Sequence, residues 1–402
     1  MNGPTRAVAM LAALAVPALL PPAAAAGPGA PPTGRCAGPA SAVTPAIPWA
    51  QRRLAPDRAW LLTRGAPTLV AIVDTGVSAR APALAGAVAA GTDVVSGGRA
   101  DSDCSGHGTF VAGLLAAQPA AGSGLAGVAP AARLLPIRVT DNPDEVDPAA
   151  LAAGIRAAAD ASARVIAVSV STSVDSPAVR AAVSYAQRRD ALVVAAAETS
   201  GDPTGERDAG AGARGWPPAY PAALPGVLAV APIGPDGAPT TDVSAANTPA
   251  VAAPGSDLTS IAPAGPGTLT ASGHGLAVPF VAGTAALVRS YRPELDAPAV
   301  RHRLEATADH PSGRLPDPLL GYGVIDPVAA VATVLPEESG DPAPSARPQP
   351  IHVPRPAAAD PGPARVALTA AVVVATVAAA GTFIAAAVTR GRRRGWRPAE
   401  PA

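Results

Sequence analysis

Short, almost continuously apolar segments alternate with longer alanine-rich segments between about residues 49 and 334. The apolar segments predict β-strands, since strands buried on both faces need apolar side chains throughout; they are 68–73, 133–139, 165–170, 192–197 and 227–233. The intervening segments predict helices at 108–117, 148–161, 177–188 and 276–291. This alternation indicates an α/β fold with a mostly parallel central sheet between helices, whose active site lies at the carboxyl ends of the strands.

Length and charge narrow the class of protein further. The 402 residues suit one large domain with tails at both ends, and 49% hydrophobic against 15% charged residues provide a sizeable core. With 30 basic and 30 acidic residues the net charge is zero, so nothing favours nucleic acid or an acidic substrate. The concentrated basic run lies at the extreme C-terminus.

Both ends of the chain carry apolar segments that predict export and anchoring. Residues 1–26 combine Arg6, an apolar run through Leu20 and small residues, which is typical of a cleavable signal peptide. The alternative, an N-terminal anchor, is disfavoured because that run is too short for a bilayer of ~30 Å. Residues 366–389 contain no charge and predict a transmembrane helix, with an alanine-rich core helix as the alternative. The arginines of tail 390–402 predict a cytoplasmic C-terminus and a domain outside the cell membrane.

Two linkers and two cysteines complete the organisation. Residues 27–48 predict an extended N-terminal arm, and the Pro-rich residues 335–365 predict a stalk between the domain and the membrane. An exported chain meets an oxidising compartment, which favours a disulfide between Cys36 and Cys104 over two separate thiols. Closing this loop would stabilise the fold by about 4 kcal/mol in the chain-entropy account.

Two residues of the domain suggest acid–base chemistry. Asp74 follows the first predicted strand, where a site should lie, although a turn-capping aspartate is an equally simple interpretation. His107 lies between two glycines at the start of a predicted helix, and an isolated histidine is more often structural. Together they resemble an acid that orients an imidazole base.

These motifs resemble the subtilisin-like serine proteases, in which aspartate, histidine and serine follow one another along the chain. The segments 105–113, 127–130 and 321–326 also match that family, and the resemblance covers about 49–334. It implies the family's three-layer fold and a serine endopeptidase activity. We expect no cofactor and no metal.

The overall layout resembles the mycosins, membrane-anchored subtilisin-like proteases associated with type VII secretion in actinobacteria. An export signal, a Cys-bearing arm, a cysteine just before the histidine motif, a Pro-rich stalk and one C-terminal span all fit. The 30 basic residues are all arginine, which suits a high-GC actinobacterial genome. The resemblance implies membrane components of type VII secretion as partners, with a peptide or protein ligand as a further possibility.

The match breaks at the nucleophile. Where the family has Gly-Thr-Ser-x-Ala-x-Pro, residues 273–279 place His274 at the threonine position and Gly275 at the serine position. Ser272 lies ~10 Å along an extended chain from that position, whereas a base and its nucleophile must approach within about 3 Å. His274 could bind a metal with His107, but no third ligand has a suitable spacing, so a packing or solvent-facing role is favoured.

A second departure concerns the oxyanion hole. The resemblance implies asparagine where this chain has Thr199, whose shorter hydroxyl is a mobile donor. Two departures in one centre favour a catalytically inactive pseudoprotease with a structural or substrate-binding role in secretion. An active endopeptidase with an unusual nucleophile and a peptide-binding module unrelated to secretion remain as alternatives.

Overall fold

The computed structural model describes residues 36–198, 218–240, 248–273, 275–338 and 362–395. Its contacts divide the chain after Leu335 into a globular unit and a second unit that contains one long helix. The predicted signal peptide and most of the predicted stalk lie outside the described residues, so the domain boundaries stay predictions.

A seven-stranded sheet forms the centre of the globular unit. Its strands are β1 (Leu69–Asp74), β2 (Thr92–Asp93), β3 (Arg133–Arg138), β4 (Val165–Val168), β5 (Leu192–Ala196), β6 (Leu228–Ile233) and β7 (Val251–Pro254). They lie in the order β2-β3-β1-β4-β5-β6-β7, and every adjacent pair is parallel. An antiparallel hairpin, β8 (Leu258–Ile261) and β9 (Thr268–Ala271), lies apart from this sheet.

Helices cover both faces of the sheet, which confirms the predicted three-layer α/β fold. On one face lie α3 (Pro148–Asp160) and α4 (Pro177–Arg188). On the other lie α2 (His107–Ala116), α5 (Val278–Tyr291), α6 (Ala297–Ala306) and α7 (Pro327–Ala332), while α1 (Trp49–Leu54) precedes the sheet. Alternate residues of β1 enter the two cores, because side chains along a strand point to opposite faces.

The N-terminal arm is extended from Cys36 and follows the hairpin. Its backbone pairs with the 262–268 segment, where Gly267 N–H donates to Ala40 O at 2.8 Å and Thr268 N–H to Ala42 O at 2.8 Å. The described part of the arm therefore adds an irregular edge to the hairpin.

The second unit contains α8 (Gly362–Arg393), which includes the predicted span 366–389. Among the described residues it is the helix long and apolar enough to cross a membrane, with a mean hydropathy of 2.3 over its best window within Arg365–Arg393. Its last turn carries Arg390, Arg392 and Arg393.

Candidate active site

Asp74 ends β1, a central strand of the sheet, and is completely buried there. Its Oδ1 accepts a hydrogen bond from Thr75 N–H at 2.7 Å. Because residues 70, 72 and 74 point to the same face, its side chain enters the layer that contains α2 and α5. A carboxylate is thus fixed at the carboxyl edge of the sheet, as predicted.

His107 is the first residue of α2, and its Nδ1 lies 2.8 Å from Oδ1 of Asp74. The approach depends on Gly108, because a Cβ there would lie 2.0 Å from the carbonyl oxygen of Gly76. The imidazole is partly exposed while its carboxylate partner is buried. The structure therefore brings together the predicted acid and base, in the arrangement that orients an imidazole for proton transfer.

Asp103 holds this pair in place, a role that the sequence analysis missed. Its Oδ1 accepts from Thr75 Oγ1 at 2.9 Å and from Gly106 N–H at 2.8 Å. Its Oδ2 accepts from Thr109 N–H at 2.8 Å and Thr109 Oγ1 at 2.6 Å. Burial raises the pKa of Asp103, and the nearby charge of Asp74 adds to that effect, although the hydrogen bonds from Thr109 and Gly106 oppose it. The carboxylate joins the end of β1 to the first turn of α2.

The predicted disulfide between Cys36 and Cys104 is present. Ala37 N–H donates to Cys104 O at 2.7 Å beside it, so the arm is held covalently and by its backbone. The bond lies three residues before His107. It fixes the N-terminal arm against the loop that presents the imidazole.

Ser169 follows β4, next to Asp74. Val73 pairs with Val168, so Asp74 and Ser169 are neighbours on adjacent strands and point to the same face. Asp74 Oδ2 and Ser169 Oγ are both buried, and within the described part of the chain neither accepts or donates a hydrogen bond.

Gly275 lies directly against Ser169. Its φ is +75°, and a Cβ built on it would lie 1.8 Å from the carbonyl oxygen of Ser169. The predicted helix start at residue 276 is wrong, because α5 begins at Val278 after a turn over 275–277. The left-handed conformation of Gly275 places this turn where the helix was expected to begin. The site therefore has a carbonyl oxygen in the volume that a side chain at position 275 would need.

The remaining predicted site residues lie apart or outside the described residues. Ser272 Oγ accepts a hydrogen bond from Asp257 N–H at 2.7 Å, next to the hairpin. This contact uses the hydroxyl oxygen in local structure. His274 and Thr199 lie outside the described residues, so their predicted roles are untested.

The chain matches known proteins over most of its length. Residues 65–323 match the family model described as "Subtilase family". Mycosin-3 of Mycobacterium tuberculosis is 36% identical over 375 residues, which cover 81% of this chain and 80% of that protein.

Solved structures give the same result. The crystal structure of MycP1 from Mycobacterium smegmatis is 32% identical, with a TM-score of 0.62, and the match covers 75% of this chain and 90% of that one. A chain of the periplasmic assembly from the ESX-5 inner membrane complex is 29% identical with a TM-score of 0.62, covering 81% of this chain and 94% of its own. The chain therefore belongs to the subtilase family, and within it to the mycosin type.

Proposed function

We propose that this chain is an extracytoplasmic, membrane-anchored pseudoprotease that serves a type VII secretion complex as a structural or substrate-binding component. In this proposal residues 1–26 direct export, α8 crosses the membrane, and the arginines after it stay in the cytoplasm. The fold and the Asp74–His107 pair persist, but peptide hydrolysis does not.

Gly275 is the observation that carries the proposal. Acyl transfer in this family needs a serine nucleophile beside the histidine, and glycine has no atom that can attack. Loss of the nucleophilic serine of a subtilisin lowers kcat by roughly 10⁶. Ser169 O lies 1.8 Å from the position of a Cβ on Gly275, so this backbone is also shaped around the absence of a side chain.

Thr199 supports the same proposal, because it concerns the stabilisation of the oxyanion in the transition state. A fixed donor that faces the developing oxyanion contributes roughly 10² to 10³ in rate. A threonine hydroxyl is shorter than an asparagine amide and rotates freely. The loss of both groups removes the nucleophile and weakens the stabilisation of the transition state.

The relatives support a place in secretion. One similar solved structure is described as a serine protease that is an essential component of the type VII (ESX-1) secretion system, and another as part of the ESX-5 inner membrane complex. A component of such an assembly needs an intact domain and an anchor. The described residues provide the seven-stranded sheet with helices on both faces and a helix long enough to span a membrane.

The retained acid–base pair favours a second candidate, an endopeptidase with an unusual nucleophile. His107 and Asp74 keep the 2.8 Å contact that a general base requires, and such a base could activate water. A peptide-binding module outside secretion would also keep the fold, but it gives no reason for the mycosin layout.

A fluorophosphonate probe on the full chain in detergent tests for a reactive serine, and we expect no labelling. The His107→Ala variant should behave identically, because no histidine-activated hydroxyl exists to lose. Labelling that disappears in Ser272→Ala or His107→Ala would show an active hydroxyl and overturn the pseudoprotease proposal. Peptide-library cleavage that disappears in His107→Ala would instead support water activation.

Co-purification tests the role in secretion. We expect the full chain to be recovered with type VII membrane components after mild detergent extraction from an actinobacterial host. The His107→Ala variant should be recovered equally, since a structural role needs no chemistry. Repeated recovery of the chain as a lone monomer would contradict this part of the proposal.

A further inference from the structure

The two edges of the central sheet carry opposite charge. Segments that leave the carboxyl ends of the strands, 75–80, 93–106, 138–147 and 169–176, contain eight acidic residues and three arginines. Segments at the amino edge, 56–64, 131–133, 156–164, 188–190 and 289–296, contain nine arginines and five acidic residues. The edge with Asp74 is therefore acidic and the opposite edge is basic, although the chain as a whole is neutral.

Exposed apolar side chains gather at the basic edge. Leu61 is 89% exposed and Val334 is 71% exposed, while Leu62 and Tyr291 are partly exposed, at 46% and 42%. Hydrogen bonds hold their segments together: Thr63 Oγ1 lies 2.6 Å from Ser290 Oγ, and the Arg292 guanidinium donates to Thr333 O at 3.4 Å. These bonds join residues next to the exposed side chains, so three separate segments bring them to the same edge; we refer to Leu61, Leu62, Tyr291 and Val334 as the apolar group.

Arginines converge at the same edge, at the ends of α3 and α4. The guanidinium carbons of Arg156, Arg188 and Arg189 lie 5.4, 6.0 and 5.5 Å from the centroid of the Tyr185 ring. The acidic neighbour Asp160 accepts the hydroxyl of Tyr185 at 2.6 Å. Within the described part of the chain Arg156 and Arg188 form no ion pair, so the cluster carries surplus positive charge.

We propose that the amino-edge surface, the apolar group together with the Tyr185 arginine cluster, docks on a lipid bilayer that contains anionic phospholipids. Aliphatic side chains and a tyrosine enter the boundary between headgroups and acyl chains, while arginines contact lipid phosphates. The acidic edge is repelled by the same surface, which orients the candidate site away from the lipid. The proposal rests on the proposed function only in placing the domain near a membrane.

A single fluorescent label tests this docking. Both cysteines of the chain are in the disulfide, so Leu61→Cys adds a unique thiol that can carry an environment-sensitive dye. The full chain is placed in nanodiscs of phosphatidylcholine mixed with phosphatidylglycerol, with nitroxide-labelled lipid as quencher. Val174→Cys is the matched control, because Val174 is 53% exposed and follows β4 at the acidic edge.

We expect the dye at position 61 to be quenched by nitroxide lipid and the dye at position 174 to remain in water. Equal, water-like signals at both positions would overturn the proposal, including the case in which a protein partner covers this surface instead. If the chain does not enter nanodiscs, the proposed anchor is wrong. In that case, flotation of the same chain with phosphatidylglycerol vesicles tests the docking separately: flotation supports it, and absence of flotation contradicts it.

Charge variants test the arginine cluster separately. An arginine near an anionic surface contributes enough to shift the docking equilibrium about fivefold, so Arg188→Gln should reduce docking by about that factor. Arg80→Gln, at the acidic edge, removes one charge from an exposed side chain and should change nothing. Equal effects of the two variants would show a nonspecific charge effect and contradict the proposed surface.

Discussion

Replacing Gly275 with alanine gives the sharpest test of how the candidate site is built. A residue with a Cβ pays about 1–2 kcal/mol for the left-handed conformation that Gly275 adopts at φ +75°. The added carbon also meets Ser169 O at 1.8 Å, which forces the backbone to move. Overpacking of this kind costs about 1–3 kcal/mol. We therefore expect Gly275→Ala to lower the free energy of unfolding by about 2–5 kcal/mol.

Gly273→Ala is a matched control two residues earlier in the same loop. A Cβ on Gly273 would have Leu276 Cδ1 as its nearest neighbour at 4.0 Å, which is open space by comparison. Replacing a glycine in a compatible conformation tends to stabilise a protein, by about 0.4–1 kcal/mol. The two alanine variants should therefore differ in sign.

Chemical denaturation of the disulfide-intact chain in detergent measures the free energy of unfolding of both alanine variants. Fluorophosphonate labelling of Gly275→Ser and of Gly275→Ser with Thr199→Asn then tests whether a nucleophile fits. We expect the single variant to be destabilised and unlabelled, because its Oγ cannot enter without moving Ser169. Wild-type stability of Gly275→Ala, or rapid labelling of a stable Gly275→Ser, would refute this reasoning and show an open site.

Two further predictions concern the surroundings of the site, and a third concerns an ion pair at the amino edge of the sheet. Burial raises the pKa of Asp103 in the folded state above the unfolded value of 3.8, so the folded protein keeps this proton to a higher pH. The free energy of unfolding of the wild type, relative to Asp103→Asn, should therefore fall in urea titrations as the pH rises from the unfolded to the folded pKa. Replacing Cys36 and Cys104 with serine should cost about 4 kcal/mol in guanidinium unfolding, and a loss below about 1 kcal/mol would contradict the entropic account. Burial acts to raise the pKa of Asp190, but hydrogen bonds and charges, chiefly from Arg289, outweigh it and lower the pKa, so the stability advantage over Asp190→Asn should be present above pH 3.8 and shrink below it.

The long buried strands and helices were predictable because their patterns are local. All five predicted strands exist with ends that differ by at most two residues, and α4 has the predicted bounds. β2, β7 and the hairpin were missed, since their strands have at most four residues and the segments beside them contain proline and glycine. Short elements of this kind depend on contacts with distant segments, which periodicity does not report.

The candidate site was predictable in its residues but not in its packing. Asp74 and His107 followed from strand and helix positions, and the structure brings them into contact. No sequence pattern singled out Asp103, yet it is buried and accepts four hydrogen bonds. The contact of Gly275 with Ser169 joins segments more than 100 residues apart, and no local pattern could indicate it.

The close fit of Gly275 against Ser169 also bears on the history of the chain. A mutation that places serine at position 275 meets a backbone already shaped for glycine, so it lowers stability before any chemistry can return. Selection on folding then removes the variant regardless of what selection on catalysis would prefer. A return to serine at position 275 therefore needs compensating changes around Ser169 to arise first.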